Sequence, residues 1–402
     1  DPVEIGVELD RIHRPQMDVK MIVMVLLFSI GGMVLQYIVG SYAPMGGSNG
    51  SSVYLSQLGR QGLILLVSFG VMAGMYFLDY SFIGRYATAI YWGMTIVFFT
   101  IRIMSREING RYPVMLMLVY LYIPAYAGLL YQLRGRGYSA VIKGIAIQIL
   151  TAGAAYYLSN ILHAALAVYL MQMVLLLLAV RKGWFEVNKR DAAIVIVTVL
   201  VIIPLAACLF LLVAGPAEAD NYRLRRIQAW LHPSEDPYGA GYTYMWIRQG
   251  LAKSKLIGVY EGFSFDDEIT WLVPRTDPFI LIEIVFTFGI LIGILVVAAL
   301  AALIIHAFGI VRRQKNQLGF MISTACFMVF LDNCVEGILI NTGCFPVTSV
   351  QLPFLSFGVG STITYAVFVG LLLSIYRNEK IVTDYTVTGR PVWRLNIRLE
   401  KK

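Results

Sequence analysis

The chain has 402 residues, of which 58% are hydrophobic and 14% charged, and it carries a formal net charge of +8 at pH 7. Soluble domains carry about 25% charged residues, so this composition excludes a water-soluble globular protein. The four cysteines lie in or beside apolar segments without the spacing of metal ligands, which predicts small apolar packing residues rather than a metal site.

Ten apolar segments are each long enough to cross a bilayer as a helix, which takes about 20 residues. They predict an all-α polytopic membrane protein, organised as a single integral membrane domain over residues 1–402. The predicted spans are 21–42, 61–79, 84–104, 112–132, 139–158, 160–180, 192–214, 279–311, 318–340 and 358–376.

Basic residues are concentrated at one set of span ends, before the first span and after the fourth, sixth and eighth: Arg11, Arg14, Lys20, Arg134, Arg136, Lys143, Arg181, Lys182, Lys189, Arg190, Arg312, Arg313 and Lys315. Because such residues are retained on the cytoplasmic side, we expect a multi-pass protein with both termini in the cytoplasm. The loop between spans three and four, with Arg106 and Arg111, is an exception to this pattern.

This orientation places residues 215–278 outside the membrane as one large extracellular loop, and residues 377–402 inside as a basic cytoplasmic tail. Anionic membrane lipid is the expected partner of the tail. Apart from the positive net charge, no feature of the sequence favours binding of nucleic acid, and we expect no nucleic-acid partner.

The extracellular loop contains the basic and aromatic stretch "YRLRRIQAWLHPSEDPYGAGYTYMWIRQGLAKSKLIG" at 222–258. Guanidinium and ammonium groups bind phosphate oxygens, so Arg223, Arg226 and Lys255 are candidates for binding a phosphate-bearing substrate. A solvated basic face is the alternative for these residues. The segment 242–256 predicts a short helix that rests on the bilayer interface.

Asp277 precedes the eighth span in "VPRTDPFILIEIV", residues 273–285. Asp accepts backbone N–H bonds at the start of a helix, and Pro278 has no N–H to lose in the first turn. A carboxylate at a membrane surface is also suited to remove a proton as a general base. The residues alone leave both roles open.

A second outward segment, "NTGCFPVTSVQLPFLSFGVGST" at 341–362, interrupts the apolar pattern with prolines, glycines and hydroxyls. Non-helical backbone at membrane depth is either buried in protein or lines a wet cavity, so we predict a re-entrant loop. Its candidate substrate-binding residues are Pro346, Thr348, Pro353, Ser356 and Ser361.

Three acids, Glu283, Asp332 and Glu336, lie inside predicted spans, where each costs about 2.5–3.5 kcal/mol on insertion scales. Asp332 and Glu336 are spaced i, i+4 and share a helix face. Either Lys143 or an arginine of spans three and four neutralises them, or the three acids form an intramembrane polar site for substrate or an ion. His163 in span six is predicted to be a packed, hydrogen-bonded residue rather than a ligand.

Several of these stretches, in the same order along the chain, resemble one family. The run "FPVTSVQLPFLSFGVGS" is similar to the "LPVTGxPLPFxSYGGS" signature of the SEDS (shape, elongation, division and sporulation) family. "RTDPF" resembles that family's "HTDFIF", and the stretches at 55–80 and 226–258 are similar to its second span and its large loop.

The resemblance implies an inverting peptidoglycan glycosyltransferase of the bacterial plasma membrane, which polymerises lipid II into glycan strands at the outer face. Lipid II is both donor and acceptor, and the glycan synthesis contributes to cell shape, division or sporulation. A monofunctional penicillin-binding transpeptidase is the implied partner, and Asp277 the implied catalytic base. The leaving pyrophosphate needs cations, either loop arginines or a divalent ion, Mg²⁺ or Mn²⁺; no other cofactor is indicated.

The chain departs from the family pattern at several polar positions. In "IPAYAGL", Tyr126 and Leu129 stand where the family has a glutamate and a lysine, and Asn160 stands where it has an aspartate. "VFTFG" follows Asp277 where the family has "GEELG", which leaves Glu283 as the nearest acid. Two alternatives therefore remain, a non-catalytic SEDS-like scaffold that binds lipid-linked precursor or a transpeptidase, and an amphiphile transporter or flippase.

Overall fold

The computed structural model describes residues 17–41, 50–105, 107, 112–213, 222–239, 241–259, 277–348, 350–356 and 358–378. The helices are α1 (Val19–Ser41), α2 (Gly50–Phe77), α3 (Ser81–Arg85), α4 (Ala87–Met104), α5 (Pro113–Leu118), α6 (Tyr122–Gln132), α7 (Tyr138–Ser159), α8 (Leu162–Arg181), α9 (Lys189–Val213), α10 (Tyr222–Leu231), α11 (Tyr242–Lys253), α12 (Ile280–Phe288), α13 (Ile290–Arg313), α14 (Gln317–Asn341) and α15 (Val359–Arg377). Short 3-10 helices cover Val119–Leu121, Pro233–Glu235 and Asp277–Phe279. These described ranges contain no β-strand.

Nine described helical segments are long and apolar enough to cross a membrane: Val19–Ile38, Gly59–Phe77, Ala87–Met104, Val114–Gln132, Tyr138–Ser159, Leu162–Arg181, Ile290–Arg313, Gln317–Asn341 and Val359–Arg377. Helix α9 has 25 residues and is uncharged after Asp191, which makes it the tenth candidate. The prediction of an all-α polytopic membrane protein is therefore confirmed.

The bundle has an inner and an outer set of helices. Helices α6, α8, α14 and α15 are mostly buried, whereas α1, α2, α4 and α13 expose most of their surface. Exposed side chains such as Leu27, Leu66 and Ile103 lie on the outer set, where they meet lipid tails. Function is therefore expected among the inner helices and the loops that cover them.

Close backbone contacts hold the inner helix α15 against its neighbours α2 and α5, since small residues allow helices in a membrane to approach closely. A Cβ on Gly370 of α15 would lie 2.7 Å from the Met72 carbonyl oxygen of α2. A Cβ on Gly360 would lie 2.5 Å from the Val114 carbonyl oxygen of α5. Both glycines therefore permit an approach that a larger residue would prevent.

The predicted eighth span, 279–311, is wrong as one continuous helix. The chain breaks at Gly289, which has φ of 98° and separates the short helix α12 from α13. An L-residue with a side chain rarely adopts this backbone conformation. The apolar composition concealed the break because both halves are equally hydrophobic.

Backbone from the loop segment that follows α11 fills this break. The N–H groups of Ile290 and Leu291 donate to the carbonyl oxygens of Lys255 and Leu256 at 3.0 and 3.1 Å, and Gly258 N–H donates to Phe288 at 3.0 Å. Helix ends leave such groups without partners within the helix, and a lipid environment cannot supply them. The inserted segment therefore makes the interrupted span stable.

Helix α11 lies within the predicted helix 242–256 and packs on protein. Tyr244, Ile247 and Gly250 are buried, and a Cβ on Gly250 would lie 2.1 Å from the Phe286 ring of α12. Its buried face therefore covers α12, and its position at the bilayer interface stays a prediction.

Substitution of Gly289 by alanine is expected to destabilise the protein by roughly 1–3 kcal/mol, because a residue with a Cβ is strained at this φ. The added Cβ would also lie 2.6 Å from the Leu256 carbonyl oxygen. The midpoint of thermal unfolding of detergent-purified protein measures the effect. Gly309→Ala on α13 is the matched control, because its Cβ would meet nothing within 4 Å; equal midpoints for the two variants would contradict this account.

Candidate functional site

Helix α12 is a buried half-helix that begins at a 3-10 turn, Asp277–Phe279. All of its residues from Ile280 to Phe286 are buried, including Glu283. The backbone of Asp277 opens the turn, whereas its side chain lies outside the described part of the structure. The assignment of Asp277 as a catalytic base stays a prediction. The fold defines the position of the Asp277 backbone.

Asn341, the last residue of α14, fastens this turn to the bundle. Its Oδ1 accepts the Ile282 N–H at 2.9 Å, and its Nδ2 donates to the Pro278 carbonyl at 2.6 Å and to the Gly337 carbonyl at 2.7 Å. Ile282 N–H is one of the first helical N–H groups, which have no partner within their own helix. One buried amide therefore fixes both the turn that begins at Asp277 and the first turn of α12.

The proline-rich segment after α14 is irregular and buried, as the sequence predicts. Its residues from Val350 to Ser356 are all buried. Tyr365 O–H donates to the Gln351 carbonyl at 2.7 Å. The Gln36 Nε2 amide donates to the Leu355 carbonyl. Helices α1 and α15 thus supply the hydrogen bonds that non-helical backbone needs inside a bundle.

Helices α10 and α11 of the large loop dock on the start of this segment. The Val347 N–H donates to the Tyr244 hydroxyl at 2.9 Å, and Trp230 Nε1 donates to the Gly343 carbonyl at 3.3 Å. The Trp246 ring also contacts Phe279, with centroids 6.4 Å apart. The large loop, the turn at Asp277 and the proline-rich segment therefore converge on one site.

The predicted substrate-binding residues divide into two groups. Pro346 and Thr348 are half-buried and Lys255 is exposed, whereas the side chains of Arg223 and Arg226 lie outside the described part of the structure. Pro353, Ser356 and Ser361 are buried: Ser356 Oγ accepts the Leu352 N–H at 3.1 Å and Ser361 Oγ donates to the Gly358 carbonyl at 3.1 Å. These two hydroxyls form hydrogen bonds with the backbone of the proline-rich segment itself.

A second polar cluster lies below the proline-rich segment, where α8 and α14 meet. His163 Nε2 is 2.6 Å from Glu336 Oε2, and His163, Asp332 and Glu336 each place a ligand atom within 4.8 Å of the others. Thr348 Oγ1 donates to Glu336 Oε1 at 2.5 Å. The shared face predicted for Asp332 and Glu336 is thus confirmed.

This cluster corrects two expectations. In the described part of the chain, neither Lys143 nor an arginine pairs with the two acids; His163 does. Glu283 is buried on α12 and is not a member of the group. The grouping of Glu283 with Asp332 and Glu336 is therefore wrong, because α12 and α14 present their acids at different positions.

Sequence reasoning missed Asn341 and assigned His163 only to packing. Asn341 carries one recognisable signal, since a buried amide at the end of an apolar helix must find hydrogen-bond partners. Tyr126, at the altered fourth-span position, is buried and donates its O–H to the Gly144 carbonyl at 3.0 Å. Asn160 ends α7 in the left-handed conformation with φ of 56°, where Asn is well tolerated.

Comparison with protein families gives one match over residues 114–381, about two thirds of the chain, to the FtsW/RodA/SpoVE model, described as "Cell cycle protein". Curated relatives match over shorter stretches. Stage V sporulation protein E of Bacillus subtilis is 28% identical over 159 residues, which are 40% of this chain and 43% of that protein.

Two further relatives have an enzyme name. Probable peptidoglycan glycosyltransferase FtsW of Trichlorobacter lovleyi is 29% identical over 163 residues, 40% of this chain and 42% of that protein. Peptidoglycan glycosyltransferase MrdB of Escherichia coli K12 is 26% identical over 164 residues, 40% of this chain and 44% of that protein. The chain thus spans less than half the length of each of these curated relatives.

Solved structures are similar over nearly the whole chain. One, described as "Structural coordination of polymerization and crosslinking by a peptidoglycan synthase complex", matches with a TM-score of 0.66 and 20% identity over 90% of this chain and 98% of that chain. The rod shape determining protein RodA of Thermus thermophilus matches with a TM-score of 0.57 and 16% identity over 90% and 97%. These likenesses establish the fold.

Replacement of Asn341 by leucine, which keeps the volume and removes the amide, is expected to loosen the turn at Asp277. Loss of the partners of three buried backbone groups costs roughly 1–3 kcal/mol or more. Hydrogen exchange of the peptide covering 278–288 should accelerate. Thr342→Ala is the control, because the Thr342 hydroxyl bonds only carbonyls of its own helix; unchanged exchange in Asn341→Leu would contradict the role of the amide.

Proposed function

The chain belongs to the FtsW/RodA/SpoVE family, also called SEDS, and we propose that it is a peptidoglycan glycosyltransferase that polymerises lipid II at the outer face of the bacterial plasma membrane. The enzyme names of its relatives FtsW and MrdB support the reaction class. In the reaction, an acceptor sugar hydroxyl attacks the anomeric carbon of the donor with inversion. The bond from that carbon to the lipid pyrophosphate breaks.

The observation that carries this proposal is the fixed position of the turn at Asp277. The turn starts a buried half-helix, and the Asn341 amide bonds to Pro278 in the turn and to Ile282 in the half-helix. A general base requires such a rigid support, because its oxygen must stay within hydrogen-bond reach of the proton it removes. We therefore assign Asp277 the removal of the acceptor hydroxyl proton.

The leaving pyrophosphate needs positive charge where its own charge develops. Arg223 and Arg226 of α10 and Lys255 are the proposed cations, with Mg²⁺ or Mn²⁺ as a further source. Support comes from the docking of α10 through Trp230 on the proline-rich segment, which brings this basic helix to the site. Pro346 and Thr348, both half-buried at the same place, are proposed to contact the substrate.

The proposed orientation has both termini in the cytoplasm, with the site facing outward. Support comes from the basic residues beside the opposite span ends, which follow the distribution seen at cytoplasmic faces. We further propose a monofunctional penicillin-binding transpeptidase as the partner. The similar structure described as coordinating polymerization and crosslinking in a peptidoglycan synthase complex supports this pairing.

A scaffold without catalysis is the second candidate, and one observation favours it. At the fourth-span positions where the family resemblance implies a Glu and a Lys, this chain has Tyr126 and Leu129, both buried. A charged pair has thus been replaced by apolar packing. Such a scaffold would bind lipid-linked precursor or the transpeptidase and form no glycan.

The proposal predicts that Asp277→Asn abolishes polymerisation of lipid II by the purified full chain, assayed alone and with candidate transpeptidases. Loss of a general base costs about 100- to 10,000-fold in rate. Product is measured as glycan strands separated by length, and the unfolding midpoint checks the fold. Asp79→Asn is the control. Asp79 follows α2 on the cytoplasmic side of the proposed topology, so this variant should retain native activity.

Two results would contradict the assignment. Native amounts of glycan from Asp277→Asn would place the base elsewhere. Binding of lipid II by the native chain without any product, under all partner combinations, would favour the scaffold.

A further inference from the structure

We infer that His163, Asp332 and Glu336 form a binding site for one divalent transition-metal ion, with Zn²⁺ the best fit. The inference does not rest on the proposed glycosyltransferase activity. The site lies inside the bundle, where α8 and α14 meet below the proline-rich segment. Each of the three side chains offers one ligand atom, and these atoms lie within 4.8 Å of one another.

The three ligand atoms are close enough to share one small ion after small side-chain movements. Zinc binds His nitrogen and carboxylate oxygen at about 2.0–2.2 Å, so that two ligands of one tetrahedral ion lie roughly 3.3 Å apart. His163 Nε2 and Glu336 Oε2 are 2.6 Å apart. Binding therefore requires this contact to open by less than ~1 Å, a movement within the range of a side-chain rotation.

The charges at the site favour a divalent cation. Two carboxylates four residues apart on α14 oppose one histidine, and Glu336 is only 5% exposed. In the described part of the chain no lysine or arginine pairs with either acid. A protonated His163 would balance one negative charge, whereas a divalent ion beside neutral imidazole balances both, and buried charge without a partner is costly.

Unused hydrogen-bonding capacity points to the same place. Asp332 Oδ2 is buried and has no hydrogen-bond partner among the described residues. The buried atoms Glu336 Oε2 and His163 Nε2 face each other at an ion-pair distance of 2.6 Å. These three buried atoms thus surround one position in the bundle.

The other oxygen of Glu336 is held in place by the protein. Thr348 Oγ1 donates to Oε1 at 2.5 Å, as hydrogen bonds around metal sites commonly orient their ligands. The hydrogen bond also connects the proposed ion to the proline-rich segment. The ion would therefore tie α8, α14 and this segment together.

The donor set decides between classes of metal. Imidazole nitrogen suits zinc and similar transition metals, whereas Mg²⁺ and Ca²⁺ prefer oxygen ligands alone. Three protein ligands leave a fourth position for a water or another oxygen, as in zinc sites that are not purely structural. We therefore expect tighter binding of Zn²⁺ than of Mg²⁺ or Ca²⁺.

Binding of Zn²⁺ to the purified full chain, stripped of metal with a chelator, tests the inference. Competition with a chromophoric zinc chelator should give one ion per chain. His163→Gln, Asp332→Asn and Glu336→Gln should each weaken binding by about 100-fold or more, and Thr348→Val by about 10- to 100-fold, since it removes only the supporting hydrogen bond.

Two matched controls separate loss of a ligand from general damage. His306→Gln alters the other described intramembrane histidine, which pairs with Asp18 at 2.7 Å. Glu283→Gln alters a buried glutamate outside the cluster. Both should bind Zn²⁺ as the native chain does.

The unfolding midpoint, measured with and without Zn²⁺, keeps the test decisive if a ligand variant folds poorly. Zinc should raise the unfolding midpoint of the native chain and of both controls. The increase should be smaller for Thr348→Val. The midpoints of the three ligand variants should not change with zinc. Absence of zinc binding by the native chain would overturn the inference. Native affinity in the ligand variants, or equal affinity for Mg²⁺, would also overturn it.

Discussion

The core of a bilayer offers no water to a free backbone N–H or carbonyl, so each place where a helix stops inside this bundle must have partners from elsewhere in the chain. At Gly289 the partners are backbone groups of residues 255–258. At the start of α12 the partner is the Asn341 amide. The site at the turn of Asp277 depends on these two solutions, because they allow a short helix and its initial turn to lie buried between longer spans.

Helix α14 connects the two polar regions of the molecule. Asn341 at its end holds the turn at Asp277, and Glu336, five residues earlier and roughly 7.5 Å along the helix axis, joins the cluster with His163. Thr348 extends from the covering segment to Glu336. This hydrogen bond links the cluster to the segment that lies beside the turn at Asp277.

The inner helices carry polar groups that find their partners inside the bundle. Tyr126 fills the inner bundle with an aromatic ring and satisfies its hydroxyl on the Gly144 carbonyl. The acids of α14 lie beside His163 of α8. Polar groups of different helices thus meet one another within the bundle.

The all-α membrane class, the irregular proline-rich segment and the start of a helix after Asp277 were determined by the sequence alone, because apolar length and helix-breaking residues are local properties of a chain. The break at Gly289, the role of Asn341 and the union of His163 with Glu336 were decided only by the tertiary structure. Each is a contact between residues far apart in sequence, and the bundle packing, which no local pattern specifies, determines which distant groups meet.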